Sequence, residues 1–367
     1  MHILELTGAL SLAAWVYLFT ARGGFWQVRA EPPTKAPAPA KRVCALIPAR
    51  NEEEVVADAV RCLIGQCDKV IVVDDHSADR TAEVAAAAGA TVVTAGPLPT
   101  GWTGKLWALS EGVRAAQAFA PDFLLFTDAD IVHSPRNVAD LVTRAEAGKL
   151  DLVSLMVKLR CRSLAERVLI PAFVFFFFML YPPAWIASRR HKTAGAAGGC
   201  ILIRPAALER IGGIAAIRGE LIDDCALARA VKPGGGVWLG VTQDTVSIRD
   251  YTTFAEIRQM ISRTAFTQLR HSAILLVGTI LGMAIMYLAP PLLLLTRDPL
   301  AAIAGLAAWA LMAISYFPVA RFYGRSPLWG PLLPLIALFY MAATVDSALD
   351  YWSGRGGVWK GRVQDAR

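Results

Sequence analysis

Two carboxylates one residue apart, Asp128 and Asp130, follow the apolar run Phe123–Phe126 in FLLFTDAD, a run that reads as a buried strand. A strand end carrying acids at i and i+2 can offer both to one hard divalent cation. Mg2+ or Mn2+ is typically held by one or two carboxylates plus substrate phosphates. A solvated Asp-rich turn is the plain alternative. Polar groups gather in the same way elsewhere. The run KVIVV closes in Asp74 and Asp75, and a carboxylate there can accept from the ring N–H of a base or bind ribose hydroxyls. The run VCALI closes in Pro48, Ala49, Arg50, Asn51 and Glu52, polar and backbone groups suited to the same nucleotide pocket. Asp79 and Thr81 read as helix caps instead.

Lys105 stands in GWTGKLWAL, a Gly-containing loop before a helix, where one ammonium suits a diphosphate oxygen or simply faces solvent. The spacing is not GxxxxGK[ST], so this is not a P-loop. GAAGGCILI (195–203) is a second Gly-rich loop, able to bring backbone close to a ligand. Its Gly199, with His133 after the DAD stretch, is a secondary candidate. ELIDDCALARAV (220–231) places Glu220, Asp223 and Asp224 at a helix start. Acids there complement the macrodipole, or one of them deprotonates an acceptor hydroxyl. Asp223 and Asp224 point about a quarter-turn apart, which argues for separate roles. The amphipathic stretch 257–272, with Arg258, Gln259, Arg263, Gln268 and Arg270, reads as an interfacial helix gripping headgroups. The sharper reading has Gln259 and Arg263 reaching the donor diphosphate or the acceptor.

The elements that must position these residues alternate. Strand-like runs at 43–49, 69–75, 91–95 and 123–126 are separated by helical patterns, which predicts an α/β domain with a mainly parallel sheet and ligands at the strands' carboxyl ends. The chain has 367 residues and is 55% hydrophobic, with the longest apolar blocks near its two ends. Residues 1–22 read as an anchor and 23–42 as a linker with a Pro/Ala/Lys core. Residues 43–272 read as the globular domain, with 165–187 a membrane-interface segment because its apolar run 168–181 is short for a span and carries Pro171. Residues 273–350 read as further spans and 351–367 as a basic tail. Three crossings in 273–350 put that tail outside, against the positive-inside rule, unless the last segment is re-entrant.

Net charge is +7, and much of the excess flanks apolar blocks, at Arg22, Arg29, Lys35, Lys41 and Arg42 and again at Arg321 and Arg325. That pattern fits anchoring on anionic lipid with the domain in the cytoplasm, and no basic face interleaved with aromatics points to nucleic acid. The six cysteines form no CxxC pair, so reduced thiols fit better than zinc or disulfides.

In order along the chain, IPARNEEEVV, VVDDHSADRT, TDAD, GGCILIRPAALERIGG and IDDCALA resemble the family 2 glycosyltransferases with the GT-A fold, over about residues 41–272. The anchor, the later spans, GWTGKLWAL and WKGR make the chain most similar to the hopene-associated glycosyltransferases of bacterial hopanoid gene sets. Ceramide- and carotenoid-type glucosyltransferases have related layouts. The resemblance implies a GT-A domain between membrane helices, in the bacterial inner membrane. It implies a nucleotide-sugar donor, UDP-linked, a lipid acceptor and a Mg2+ or Mn2+ ion. Asp75 would contact the uracil, Asp128 the sugar or ribose, Asp130 the metal, and Asp224 would be the base. The QxxRW signature is altered, because Gln259 and Arg263 are one residue further apart and Thr264 stands where Trp is usual. That departure favours transfer of a single sugar. A nucleotidyltransferase acting on a lipid phosphate and a non-catalytic membrane scaffold are the rival readings.

Overall fold

The computed structural model describes residues 2–30, 32, 40–359 and 362–363. The middle of the Pro/Ala/Lys linker, Lys35 included, and Lys360 and Gly361 of WKGR lie outside the described residues. After α1 (Ile3–Ala21) the chain alternates through β1 (Val43–Ala49), α2 (Val56–Leu63), β2 (Lys69–Asp74), α3 (Thr81–Ala87), β3 (Thr91–Thr94), α4 (Gly104–Ala116) and β4 (Phe123–Phe126). It continues with β5 (Ile131–Val132), α5 (Asn137–Gly148), β6 (Leu150–Lys158), α6 (Leu164–Leu180), α7 (Pro183–Ala187) and β7 (Ile201–Ile203). Then come α8 (Pro205–Arg210), α9 (Asp223–Val231), β8 (Gly236–Ser247) and α10 (Phe254–Gln268).

The strands form one sheet in the order β3-β2-β1-β4-β7-β6-β8-β5. β1 pairs in parallel with β2 and β4, β2 with β3, and β6 with β8. Only β7 and β5 run against the rest, pairing antiparallel with their neighbours. This is the α/β class expected, with one reversal at the centre. The carboxyl ends of β1, β2, β4 and β8 and the amino end of β7 therefore share one edge. The strands are buried on both faces because their side chains alternate between two cores. Leu46, Ile71, Val73, Leu124 and Phe126 face one core, while Ile47, Val70, Val72, Phe123 and Leu125 face the other.

Four more helices follow: α11 (Ala273–Met283), α12 (Ala289–Leu293), α13 (Pro299–Phe322) and α14 (Leu333–Trp352). A π turn at Ala284–Leu288 joins α11 to α12 just before Pro290 and Pro291, where the prolines remove backbone donors. Among the described residues five stretches are long and apolar enough to cross a membrane: Ile3–Ala21, Leu164–Ala187, Ala273–Leu293, Pro299–Phe322 and Leu333–Trp352. Small residues bring three of them close together. A Cβ on Gly305 would lie 2.7 Å from the Pro290 carbonyl, and one on Gly8 would lie 3.1 Å from Ala304 Cβ. The Trp15 indole donates to the Met286 carbonyl at 2.8 Å, across the same packing.

Helix α6 is fastened at its start to the segment just past β8 and at its finish, directly and through α7, to α10 and the end of α9. Ser163, its N-cap, donates to the Tyr251 carbonyl at 2.9 Å just beyond β8. The buried Glu166 carboxylate accepts the N–H groups of Arg162, Ser163 and Tyr251 at 2.6, 2.8 and 2.9 Å. At the other end, Tyr181 donates to Gln268 at 2.8 Å, and the Lys232 ammonium donates to the Trp185 and Ile186 carbonyls at 2.8 and 2.9 Å. Between these ties Phe175 and Phe176 pack on Phe25, Tyr316, Tyr287 and Tyr340. Helix α10 is held in the same layer, and α14 lies along it. Phe254 meets Phe339, Arg258 pairs with Asp346, Ser347 accepts from the Phe266 N–H at 2.9 Å, and Phe266 meets Tyr351.

Replacing Glu166 with Gln removes the charge and one acceptor from a fully buried knot, a loss of about 1–3 kcal/mol. The expected outcome is a lower thermal unfolding midpoint for the detergent-purified variant, with Glu166→Ala lower still. An unchanged midpoint would show that this carboxylate does not hold α6 to the sheet.

Candidate active site

The site is built where the parallel strands end. β4 delivers Thr127 and Asp128, α4 delivers Lys105 in its first turn, and α9 begins with Asp223 and Asp224. Lys105 Nζ lies 3.0 Å from Asp128 Oδ1 and 3.1 Å from Asp223 Oδ2, so one ammonium bridges two carboxylates from different elements. A lysine at a helix N-terminus opposes the macrodipole, and here the two acids compensate for it. Burial works against the Lys105 charge, but Asp128 and Asp223 hold its pKa above the ordinary lysine range. Burial raises the Asp128 pKa, and the lysine opposes that rise.

Asp224 sits beside this bridge in different surroundings. Its Oδ2 accepts the Gly198 N–H at 2.9 Å and its Oδ1 accepts the Cys225 N–H at 2.7 Å. Burial and the neighbouring Asp223 push the Asp224 carboxyl up to about 6, while Lys105 pulls it down. That value suits a group that must take a proton near neutral pH. A Cβ on Gly198 would lie 3.3 Å from Lys105 Nζ and 3.5 Å from Asp224 Oδ2, so glycine lets the backbone come close to both. Leu106, Leu109, Phe126, Ile201 and Leu227 form the apolar floor of the same cleft, and Pro48 contributes to its wall.

Asp130 belongs to a second cluster on the same edge. Ser247 Oγ donates to its Oδ2 at 2.6 Å, and Arg249 Nε lies 3.5 Å from that oxygen. Arg249 also donates to Glu52 Oε1 at 2.7 Å, joining the ends of β1 and β8. Asp130 and Glu52 hold the Arg249 pKa above the usual arginine range against the effect of burial. Arg50 donates to the carbonyls of Asp75 and His76 and lies 3.7 Å from the fully buried Asp75 carboxylate. Asn51 and His76, the residues around which these strand-end loops turn, both take φ of 53°, an uncommon conformation that Asn and His adopt more readily than most.

His133 lies beneath the DAD loop. Its Nε2 is 2.9 Å from Thr127 Oγ1 and its Nδ1 is 2.8 Å from Asn137 Nδ2. Burial lowers its pKa to about 4, keeping the ring neutral. The amide N–H of Asn137 donating to Nδ1 assigns the remaining ring proton to Nε2, which donates to Thr127. Thr127 in turn donates to the Gly199 carbonyl at 2.8 Å. His133 and Gly199 thus support the Asp128 loop from below. Ala49 is buried in β1 and contributes its carbonyl to the Asp75 N–H at 2.9 Å. Asp79 accepts the N–H groups of Thr81 and Glu53 at 3.0 and 3.2 Å, a loop-capping role.

The structure brings Lys105, Asp128, Asp223 and Asp224 together, and joins Glu52 to Asp130 through Arg249. It leaves Gln259 and Arg263 exposed on α10, in contact with none of these acids among the described residues. Arg263 comes only within electrostatic reach of Tyr251, a ring that also senses Asp130 and Asp128. Ser247, Arg249 and Tyr251 went unrecognised in the sequence. Their signal was a period-two row of polar groups at the end of a strand.

Among the described residues no three His, Cys, Asp or Glu side chains cluster as a complete metal cage. The donor set still fits a hard cation held partly by a ligand's phosphates. Both contacts to Asp130 use Oδ2 and leave Oδ1 available, with Asp128 two residues away.

Residues 44–212, a little under half of the chain, match the family model described as Glycosyl transferase family 2. Over 109 residues the chain is 36% identical to the 4,4'-diaponeurosporenoate glycosyltransferase of Staphylococcus haemolyticus, 29% of this chain and 28% of that one. Over 94 residues it is 39% identical to the enzyme of that name from Staphylococcus aureus strain USA300, 25% of this chain and 24% of that one. The chain thus spans about a quarter of the length of these relatives. The fold extends further. The mannosyltransferase PcManGT from Pyrobaculum calidifontis, solved with GDP-Man and Mn2+, superposes with a TM-score of 0.58 over 95% of this chain and 99% of that one, at 19% identity. The architecture is a GT-A domain with apolar helices before and after it.

Removing the bridging cation should raise the neighbouring carboxyl pKa values. In Lys105→Met the acid limb of turnover is expected to move to higher pH by about one unit or more. An acid limb that stays in place would mean that Lys105 does not set the charge of Asp224.

Proposed function

We propose that this chain is a membrane-bound inverting glycosyltransferase that moves one sugar from a UDP-linked donor to the hydroxyl of a lipid. The observation that carries this reading is Asp224, a buried carboxyl raised to about 6 beside the Lys105 bridge, at the ligand-binding edge of a GT-A sheet. The acceptor is proposed to be a hopanoid-type lipid. A carotenoid-type acceptor is the second reading, favoured by the segments shared with the diaponeurosporenoate glycosyltransferases.

In the proposed reaction Asp75 and Arg50 bind the nucleoside end and Asp128 orients the sugar or ribose. Asp224 takes the proton of the acceptor hydroxyl as its oxygen attacks the anomeric carbon. The bond from that carbon to the diphosphate breaks on the opposite face, and the nucleotide diphosphate departs. Lys105 is placed to exchange Asp128 for a diphosphate oxygen as the donor enters. A Mg2+ or Mn2+ ion held by Asp130 with Asp128 would supply charge neutralisation for the departing diphosphate. The apolar floor and the α6 layer suit a lipid that reaches the cleft from the membrane side.

The proposed placement has three crossings, α1, α11–α12 and α13, with the domain in the cytoplasm of a bacterial inner membrane. Helices α6, α10 and α14 lie along the interface, which returns the basic tail to the domain side. The ties of α6 and α7 to the α/β domain and the lengthwise packing of α14 on α10 support this placement. Arg22, Arg321 and Arg325 then fall on the cytoplasmic side.

Detergent-purified protein supplied with UDP-sugars and bacterial lipid extract should release UDP and form a glycolipid, with EDTA abolishing release and Mn2+ restoring it. Asp224→Asn is expected to lower kcat/KM by about 10²–10⁴, and Asp130→Ala to weaken the response to Mn2+. For wild type, kcat/KM should rise with pH through about 6 as Asp224 loses its proton. Neither release nor metal-dependent UDP binding would end the enzyme reading.

The placement has its own test in intact spheroplasts with a membrane-impermeant maleimide. A cysteine at position 2 (His2→Cys) should label at once, and one at position 353 (Ser353→Cys) only after permeabilisation. Immediate labelling of the second would put the tail outside and overturn the interfacial α14.

A further inference from the structure

Between α7 and β7 the chain runs Ser188-Arg189-Arg190-His191-Lys192-Thr193, and Arg189, Arg190, His191 and Lys192 are all exposed. Among the described residues none of the three permanent cations is in an ion pair. An unneutralised run of this kind repels itself, yet it is held firmly in place. Lys232, at the C-cap of α9, donates to the carbonyls of Trp185, Ile186 and Thr193, which closes the loop at both ends. The Trp185 ring stacks on His191 with centroids 4.7 Å apart, and the Arg22 guanidinium lies 4.6 Å from the centre of the same ring.

Arg22 also locates this loop. It is the first residue past α1, and its Nε donates to the Met179 carbonyl at 3.0 Å at the end of α6. Gly23 follows with φ of +63°, where a Cβ would lie 2.8 Å from the Trp185 ring, so the chain passes directly against it. The loop therefore sits where two long apolar helices end together. In a bilayer that level holds headgroups, where Trp and Arg concentrate and cations meet anionic phosphates.

We propose that Arg189, Arg190 and Lys192 form a binding surface for anionic phospholipid headgroups, oriented by Trp185, Arg22 and Lys232. This rests on the membrane placement proposed above. Guanidinium groups take phosphate oxygens in pairs, and three adjacent cations exceed what a zwitterionic headgroup satisfies. The same loop runs on to Gly198, whose N–H holds Asp224, so the lipid contact and the proposed base lie on one continuous segment.

The test uses the full chain in nanodiscs of phosphatidylcholine with or without phosphatidylglycerol, read by hydrogen exchange in the loop. Exchange over 188–194 is expected to be about tenfold slower with the anionic lipid. The triple variant Arg189→Gln/Arg190→Gln/Lys192→Gln should lose that difference while keeping its unfolding midpoint. Equal exchange in the two lipids, or a slowing that survives in the triple variant, would overturn the proposal. A chain that washes from membranes without detergent would instead defeat the membrane placement, a separate and visible outcome.

Discussion

The ammonium of Lys105 is the charge around which the cleft is organised. Three carboxylates from β4 and α9 converge within a few residues' reach, in surroundings drier than water, where like charges repel strongly. One cation between Asp128 and Asp223 lets them stay close, and it keeps Asp224 from rising beyond the range in which it can act as a base. The Gly-rich loop ahead of β7 completes the arrangement, because the absence of a side chain at Gly198 lets the backbone lie close to both the ammonium and Asp224. Fold and electrostatics are therefore one problem here. The reversed β7 brings Gly198 to the same edge as the ends of the parallel strands, and without that reversal Asp224 would lose one of its two backbone donors.

A second cation, Arg249, does for the outer cluster what Lys105 does for the inner one. From the segment after β8 it joins Glu52 on the first strand's loop to Asp130 on the loop of the neighbouring fourth strand. On the proposed reading the base lies in the inner cluster and the acid that would hold the metal in the outer one. Keeping the two jobs on separate cations leaves each acid its own set of partners.

Much of this was legible in the sequence, because strands buried on both faces end abruptly and the acids that follow them stand out. Asp75, Asp128 and Asp130 are visible for that reason, Asp224 stands out as one of an acidic pair opening a helix, and the alternation of strands and helices gives the fold class. What could not be read were contacts between distant segments. Lys105 was assigned to a diphosphate, and nothing in GWTGKLWAL reveals that two aspartates, one more than a hundred residues away, neutralise it. His133 drew notice only through its position after the acids, and its neutral, buried role depends on Asn137 and Thr127. Arg249 was passed over because a single arginine after a long strand looks ordinary until Glu52 is placed opposite it. Gln259 and Arg263 were singled out by their likeness to a motif whose spacing they do not keep, and their exposure on α10 accords with that irregular spacing.

The double fastening of α6 has a mechanical consequence. A domain hung from a membrane by one flexible linker can tilt and bob to meet its substrates. Here a helix tied to the α/β domain at its start and finish, and packed by its aromatic face onto the apolar helices, makes the domain and that belt a single shelf. On the membrane reading the cleft then stands at a fixed height above the hydrocarbon. Distance itself becomes a criterion of choice, since a lipid must carry its hydroxyl on a stem of the right length to reach Asp224 at all.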